Sequence, residues 1–78
     1  MYYDHLQGAL EAVLFTAGEP ISVSEIAELL QIEKPQVWEL LATLTKAYEA
    51  ENRGLMVREI AGGYQLVTKP EYYTLLAQ

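Results

Sequence analysis

Two short runs rich in β-branched and aromatic residues, 55–61 (LMVREIA) and 64–68 (YQLVT), flank the pair Gly62-Gly63, and everything ahead of them is patterned for helices. A glycine pair between such runs signals a two-residue hairpin, because both central positions of the favoured turns need positive φ. The chain therefore has to be helices followed by a hairpin. At 78 residues it is one domain at most, and 51% apolar content is ample for a single core.

Residues 4–17 carry Leu6, Leu10, Val13, Leu14 and Ala17 at three- and four-residue spacing, which predicts a helix with one apolar stripe. Asp4 is expected to cap its first turn and Gly18 to stop it. Phe15 lies off the centre of the stripe and is expected to pack under the following turn. Pro20-Ile21 reads as a short extended piece. Ser22-Val23-Ser24-Glu25 is a capping-box sequence, in which the first serine and the glutamate each satisfy the other's backbone N–H. It opens a second helix over 23–30, with Val23, Ile26, Ala27 and Leu30 inward. Residues 31–33 make a tight turn plugged by Ile32.

A third helix begins near Lys34-Pro35, since proline is tolerated in a first turn. Val37, Leu41, Leu44 and Tyr48 form its stripe, broadened by Leu40 and Ala47, and the helix fades through 49–53 to Gly54. Beyond the hairpin, Thr68 and Glu71 repeat the capping-box spacing around Pro70 and predict a short last helix. Tyr72, Leu75 and Leu76 would be its apolar face. The expected architecture is α+β, a winged helix-turn-helix: three helices, a two-stranded wing and a short C-terminal helix, as a single domain over 1–78.

Winged helices mostly meet DNA, and here the charge objects. The stretch 31–53 holds Glu33, Glu39, Glu49 and Glu51 against Lys34, Lys46 and Arg53, and the formal net charge of the chain is −6. Affinity for nucleic acid comes mainly from Lys and Arg displacing condensed counterions. Five dispersed basic residues make no stripe of the kind a DNA binder presents. Arg58 alone in the wing strands does not make a minor-groove probe. The rival reading, a winged-helix DNA-binding transcription regulator, would need basic and amide side chains on the outer face of the third helix. Lys34, Gln36, Glu39, Thr43, Lys46 and Glu49 leave that face nearly neutral.

Catalytic chemistry finds no foothold. The single histidine, His5, and the absence of cysteine give no metal site of sensible ligand count and no triad. Gly62-Gly63 joins two strands, whereas phosphate-cradling glycines join a strand to a helix. No enzyme activity, cofactor, metal or small-molecule substrate is expected. No apolar run approaches the roughly 20 residues of a membrane span. The start MYYDHL has neither the basic region nor the apolar core of a signal peptide, so a cytoplasmic protein is expected.

Binding is the remaining option. Trp38 lies one position off the stripe of the third helix, on the side shared with Ala42 and Thr45. It either covers the core edge and packs on the wing, or it is an exposed anchor for a partner protein. Tyr2 and Tyr3 form a second candidate, as a self-interface or as packing on the domain's own last helix. Leu6 and Thr45 complete the candidate interaction set. Tyr64, at the foot of the wing, is expected to pack over the glycine turn.

Two segments carry a family likeness. They are LEAVLFTAGEPISVSEIAELL (10–30), containing LF-x-A-GEP-I-S, and LMVREIAGGYQLVTKPEY (55–72), with its AGGY-x-L-x-T-x-P-E-Y pattern. Together they closely resemble the N-terminal winged-helix domain of the bacterial segregation and condensation protein B (ScpB) family, over essentially the whole chain. Glu33 stands where many relatives in the family have a Ser or Thr cap. The family also carries a second winged helix, so the chain is expected to be the N-terminal part of a longer protein. The resemblance implies a non-enzymatic accessory subunit of the Smc condensin. It would form homodimers and hold the kleisin subunit ScpA, reaching Smc through ScpA, in chromosome condensation and segregation. It would associate with the nucleoid through the complex, with no direct nucleic-acid contact. A purely structural dimer with no third partner is the other protein-binding reading.

Overall fold

A computed structural model describes residues 2–50 and 52–77, with side chains from His5 onward. Helix α1 (Tyr2–Ala17) lays Leu6, Leu10 and Leu14 into the core. Val13 is only half-buried and Ala17 is exposed, so the buried stripe is narrower than its pattern suggested. The expected Asp4 cap falls outside the described side chains. Helix α2 (Val23–Leu30) starts with the predicted box: Glu25 N–H donates to Ser22 Oγ at 3.1 Å, and Ser22 N–H donates to Glu25 Oε1 at 3.0 Å.

Helix α2 ends in a Schellman turn. Ile32 N–H donates to the Ala27 carbonyl at 3.0 Å and Gln31 N–H to that of Glu28 at 3.3 Å, with Gln31 left-handed at φ 58°. Ile32 packs on the core as the expected plug. Helix α3 (Lys34–Ala47) follows, with Gln36 Oε1 accepting from Glu33 N–H at 2.9 Å. Gln36 thus satisfies the N-cap N–H at Glu33 from within the first turn of α3. Val37, Leu40, Leu41 and Leu44 of α3 meet Ile26 and the α1 leucines to form the core. Burying each such aliphatic side chain is worth roughly 1.5–3 kcal/mol.

Strands β1 (Leu55–Ile60) and β2 (Gly63–Thr68) pair antiparallel, with Leu55 opposite Thr68 and Ile60 opposite Gly63. Val57 and Leu66 face one another across the pair and both pack on the core. The base of the wing is closed where Lys69 N–H donates to the Gly54 carbonyl at 2.8 Å. The extended residue Ile21 adds a third, one-residue rung, exchanging backbone hydrogen bonds of 2.9 and 2.8 Å with Tyr64. This is a winged helix.

Two expectations need correction. The hairpin turn is Ala61-Gly62, at φ 49° and 82°, not Gly62-Gly63. Gly63 is a buried strand residue, and a Cβ on it would sit 2.9 Å from Pro20 Cβ and 3.0 Å from Ile21 N. The second glycine therefore serves the close approach of the Pro20-Ile21 segment, and Ala61 takes the left-handed turn position instead. Nor does Thr68 cap the last helix. It stays in β2, and the chain passes through a 3-10 turn (Pro70–Tyr72) into helix α4 (Tyr73–Leu76), with Lys69 before it and no side-chain cap. Leu75 and Leu76 are 66% and 61% exposed rather than forming a packed face.

Gly63→Ala is expected to cost roughly 1–3 kcal/mol, the usual penalty for overpacking a close contact. It should appear as a lower urea midpoint at unchanged slope. Gly54→Ala, where a Cβ meets nothing within 4 Å, is the control and should stay within about 0.5 kcal/mol of the parent.

Candidate protein-interaction surfaces

On α1, residues Gly8, Glu11, Ala12 and Phe15 succeed one another at three- and four-residue spacing and therefore share one face. With Leu55 and Leu66 of the wing, and Tyr48 just past α3, they line a cleft of about 380 Å³. Its one charged wall is already engaged, since the Tyr48 hydroxyl donates to the Glu11 carboxylate. That acceptor, helped by partial burial, holds the Tyr48 phenol above its ordinary range, while Arg53, 5.9 Å over the ring, pulls weakly the other way. Phe15 is 70% exposed, which corrects its expected place under the next turn.

Gly8 has no conformational reason to be glycine. It lies inside α1, and a Cβ there would meet no neighbouring heavy atom within 4 Å. Inside a helix glycine is less favourable than alanine by roughly 0.5–1 kcal/mol.

A second cleft of about 360 Å³ lies between the end of α3 and the wing. Thr45, Tyr48 and Glu49 form one wall, Met56 and Val57 another, and Lys69, Pro70 and Glu71 the third. The Lys69 ammonium donates to the Ala50 carbonyl at 2.9 Å and keeps its positive charge beside Glu49 and Glu71 in the cleft lining. Tyr48 is common to both clefts.

The sequence candidates distribute unevenly over these surfaces. Thr45 is exposed and lines the second cleft. Trp38 is half exposed and meets Tyr64 edge-on, with ring centroids 5.8 Å apart and planes at 85°. It thus packs on the wing while offering its other side to solvent. Tyr64 packs against the core and on Trp38, and burial raises its phenol, with Glu59 adding to the effect. Leu6 is a correction: at 5% exposure it is a core residue, because it continues the buried stripe of Leu10 and Leu14. Tyr2 and Tyr3 lie in the first turn of α1, and their side chains are outside the described residues. Gly8, Ala12 and Phe15 stand at helical spacing apart from the core stripe, and that spacing is the signal for this face in the sequence.

A family model described as Segregation and condensation complex subunit ScpB matches residues 8–78. The chain belongs to this family. It is similar to Segregation and condensation protein B of Moorella thermoacetica, 46% identical over 71 residues that cover 91% of this chain and 36% of that protein. It is also similar to the protein of the same name from Symbiobacterium thermophilum, 44% identical over 71 residues covering 91% and 32%. The chain thus spans about a third of the length of these curated relatives. Among solved structures, a dimer of the ScpB N-terminal domain complexed with ScpA peptide matches with a TM-score of 0.93 at 28% identity, over 99% of this chain and 96% of that one. No helix among the described residues of this ScpB-family chain is long and apolar enough to cross a membrane.

Gly8→Ala is expected to stabilise the isolated domain by about 0.5–1 kcal/mol in denaturant titrations at low protein concentration. The raised Tyr48 phenol sets a pH dependence. A group whose folded pKa exceeds its unfolded value stabilises fully below the unfolded value, near 10.0, and that contribution fades as pH rises through the folded value. Tyr48→Phe should therefore flatten the fall in melting temperature above pH 10, leaving only the part due to Tyr64. An unchanged alkaline slope would separate Tyr48 from the effect.

Proposed function

We propose that this chain is the N-terminal winged helix of a longer, non-enzymatic condensin subunit that dimerises and holds the kleisin ScpA. Through ScpA it would reach Smc and act in chromosome condensation and segregation, in the cytoplasm and at the nucleoid. A second winged helix would follow it in the full-length protein. The likeness carrying this reading is the match, over nearly the full length of both chains, to a dimeric ScpB N-terminal domain with ScpA peptide.

Physical features support the same reading. The chain exposes large uncharged side chains, among them Phe15, Trp38, Leu75 and Leu76. Such residues act as desolvated anchors in protein interfaces, where a few aromatic side chains carry most of the energy. Along α3 and just past it, where a DNA reader needs cations, Glu39 and Glu49 offset the charge of Lys34 and Lys46. Scaffolding needs no reacting groups: the apolar patches are buried against a second copy and a kleisin segment.

Titration calorimetry with an ScpA fragment is the deciding measurement, and saturable binding is expected. Trp38→Ala should keep the helical circular-dichroism spectrum and weaken that binding about tenfold or more, as loss of an aromatic anchor does. An unfolded Trp38→Ala chain would instead assign the residue to holding the wing. Submicromolar duplex-DNA binding with steep salt dependence would favour the transcription-regulator alternative.

A further inference from the structure

The structure assigns the free edge of strand β1 as a docking site for an extended, lysine- or arginine-bearing segment of another protein, which joins the wing as a further strand. This goes beyond the reading above and stands independently of it.

Two contacts fix which backbone groups that edge offers. Along an antiparallel pair, residues alternate between those bonded across the ladder and those turned away from it. Lys69 N–H donates to the Gly54 carbonyl, so the register makes Met56–Val67, Arg58–Gln65 and Ile60–Gly63 the bonded pairs. Tyr64, opposite Glu59, gives its backbone bonds to Ile21 instead, which sets the same phase. The N–H and C=O groups of Leu55, Val57 and Glu59 therefore point out of the sheet, and no described residue bonds to them there. Edge strands are ordinarily blunted by proline, lysine or a bulge. Strand β1 has none of these, and its charges, Arg58 and Glu59, lie toward the turn and leave Leu55, Met56 and Val57 apolar.

The surroundings select the added strand. Successive strand side chains point to opposite faces, so the cleft of about 360 Å³ reached by both Met56 and Val57 follows the edge rather than one face. Thr45 and Glu49 stand across it from the strand, and Glu71 lies at its base. When a peptide extends a sheet, main-chain bonds supply affinity and the pockets for alternate side chains supply specificity. Along this edge Glu49, Glu59 and Glu71 outnumber Lys69 and Arg58, in a chain of net charge −6. That balance favours a cation-bearing segment. A second copy pairing through its own β1 would add its own carboxylates, and like charges across a pair are destabilising.

Fluorescence titration with a short labelled peptide that alternates valine with lysine tests the assignment, and saturable binding is expected. N-methylating alternate backbone amides of the peptide should weaken binding about tenfold or more in one phase and be tolerated in the other, since only one set of amides faces β1. Replacing its lysines by glutamate should abolish binding. In the protein, Glu59→Pro removes an outward N–H while the wing's own ladder keeps its bonds. It should retain the parent's circular dichroism and weaken the peptide about tenfold or more. Leu29→Glu, at an exposed leucine of α2, should change nothing. Bound peptide should also slow hydrogen exchange at the Val57 amide. If Glu59→Pro does not fold, Thr45→Lys, which sets a cation in the cleft, decides. Absence of binding, or binding indifferent to the methylation phase or to the deciding variant, overturns the edge and leaves the kleisin reading to its own calorimetry. Self-association of the parent that Glu59→Pro abolishes would give the edge to a second copy and overturn the inference equally.

Discussion

The two backbone hydrogen bonds between Ile21 and Tyr64 are the hinge on which the rest of the surface depends. A two-stranded hairpin is marginal by itself in water. Here the Ile21 rung fastens one end of β2 to the segment between α1 and α2, while Val57 and Leu66 rest on the core. The opposite end is closed by Lys69, through its backbone N–H to Gly54 and its ammonium to Ala50. Only a wing held at both ends can supply stable walls, and both clefts take walls from it: Leu55 and Leu66 for one, Met56 and Val57 for the other. The missing side chain at Gly63 is what lets Pro20 come near enough for the rung to form.

Much of this was legible in the residues because it is local. Helix periodicity, the Ser22–Glu25 box, proline in the first turn of α3 and the β-rich runs all report physics acting within a few positions. What stayed hidden was set by distant neighbours. Gly62 and Gly63 are equally fit for a tight turn, and the choice between them falls to Pro20, more than forty positions away in the chain. Ala61 then accepts a left-handed conformation that local preference would have refused. The Thr68–Glu71 spacing resembles a cap, but Thr68 is already held in the ladder opposite Leu55.

The interaction surface divided along the same line. Trp38 stood out because a tryptophan one step off a stripe has to do something unusual. Leu6 misled because a leucine near an N-terminus can equally face a partner or the core, and only packing against the rest of the apolar cluster decides. Phe15 was expected under the following turn because it lies off the centre of the stripe, and only the packing of the whole domain leaves it exposed.

Residues that disobey local rules in a small domain are where function leaves its mark. Such a domain has only about 0.05–0.15 kcal/mol of stability per residue, so each departure is a sizeable fraction of the whole. Helix α2 begins with a reciprocal cap and buries Ile26, although its Leu29 is exposed. Helix α1 behaves differently: one side is an unbroken row of buried leucines, and another carries a helix-weakening glycine and a solvent-exposed phenylalanine. Neither improves the isolated chain. Both become favourable if an apolar surface closes over them, removing Phe15 from water and approaching the helix backbone at Gly8. The contrast between the two sides of one helix therefore separates residues that the fold requires from residues that it does not.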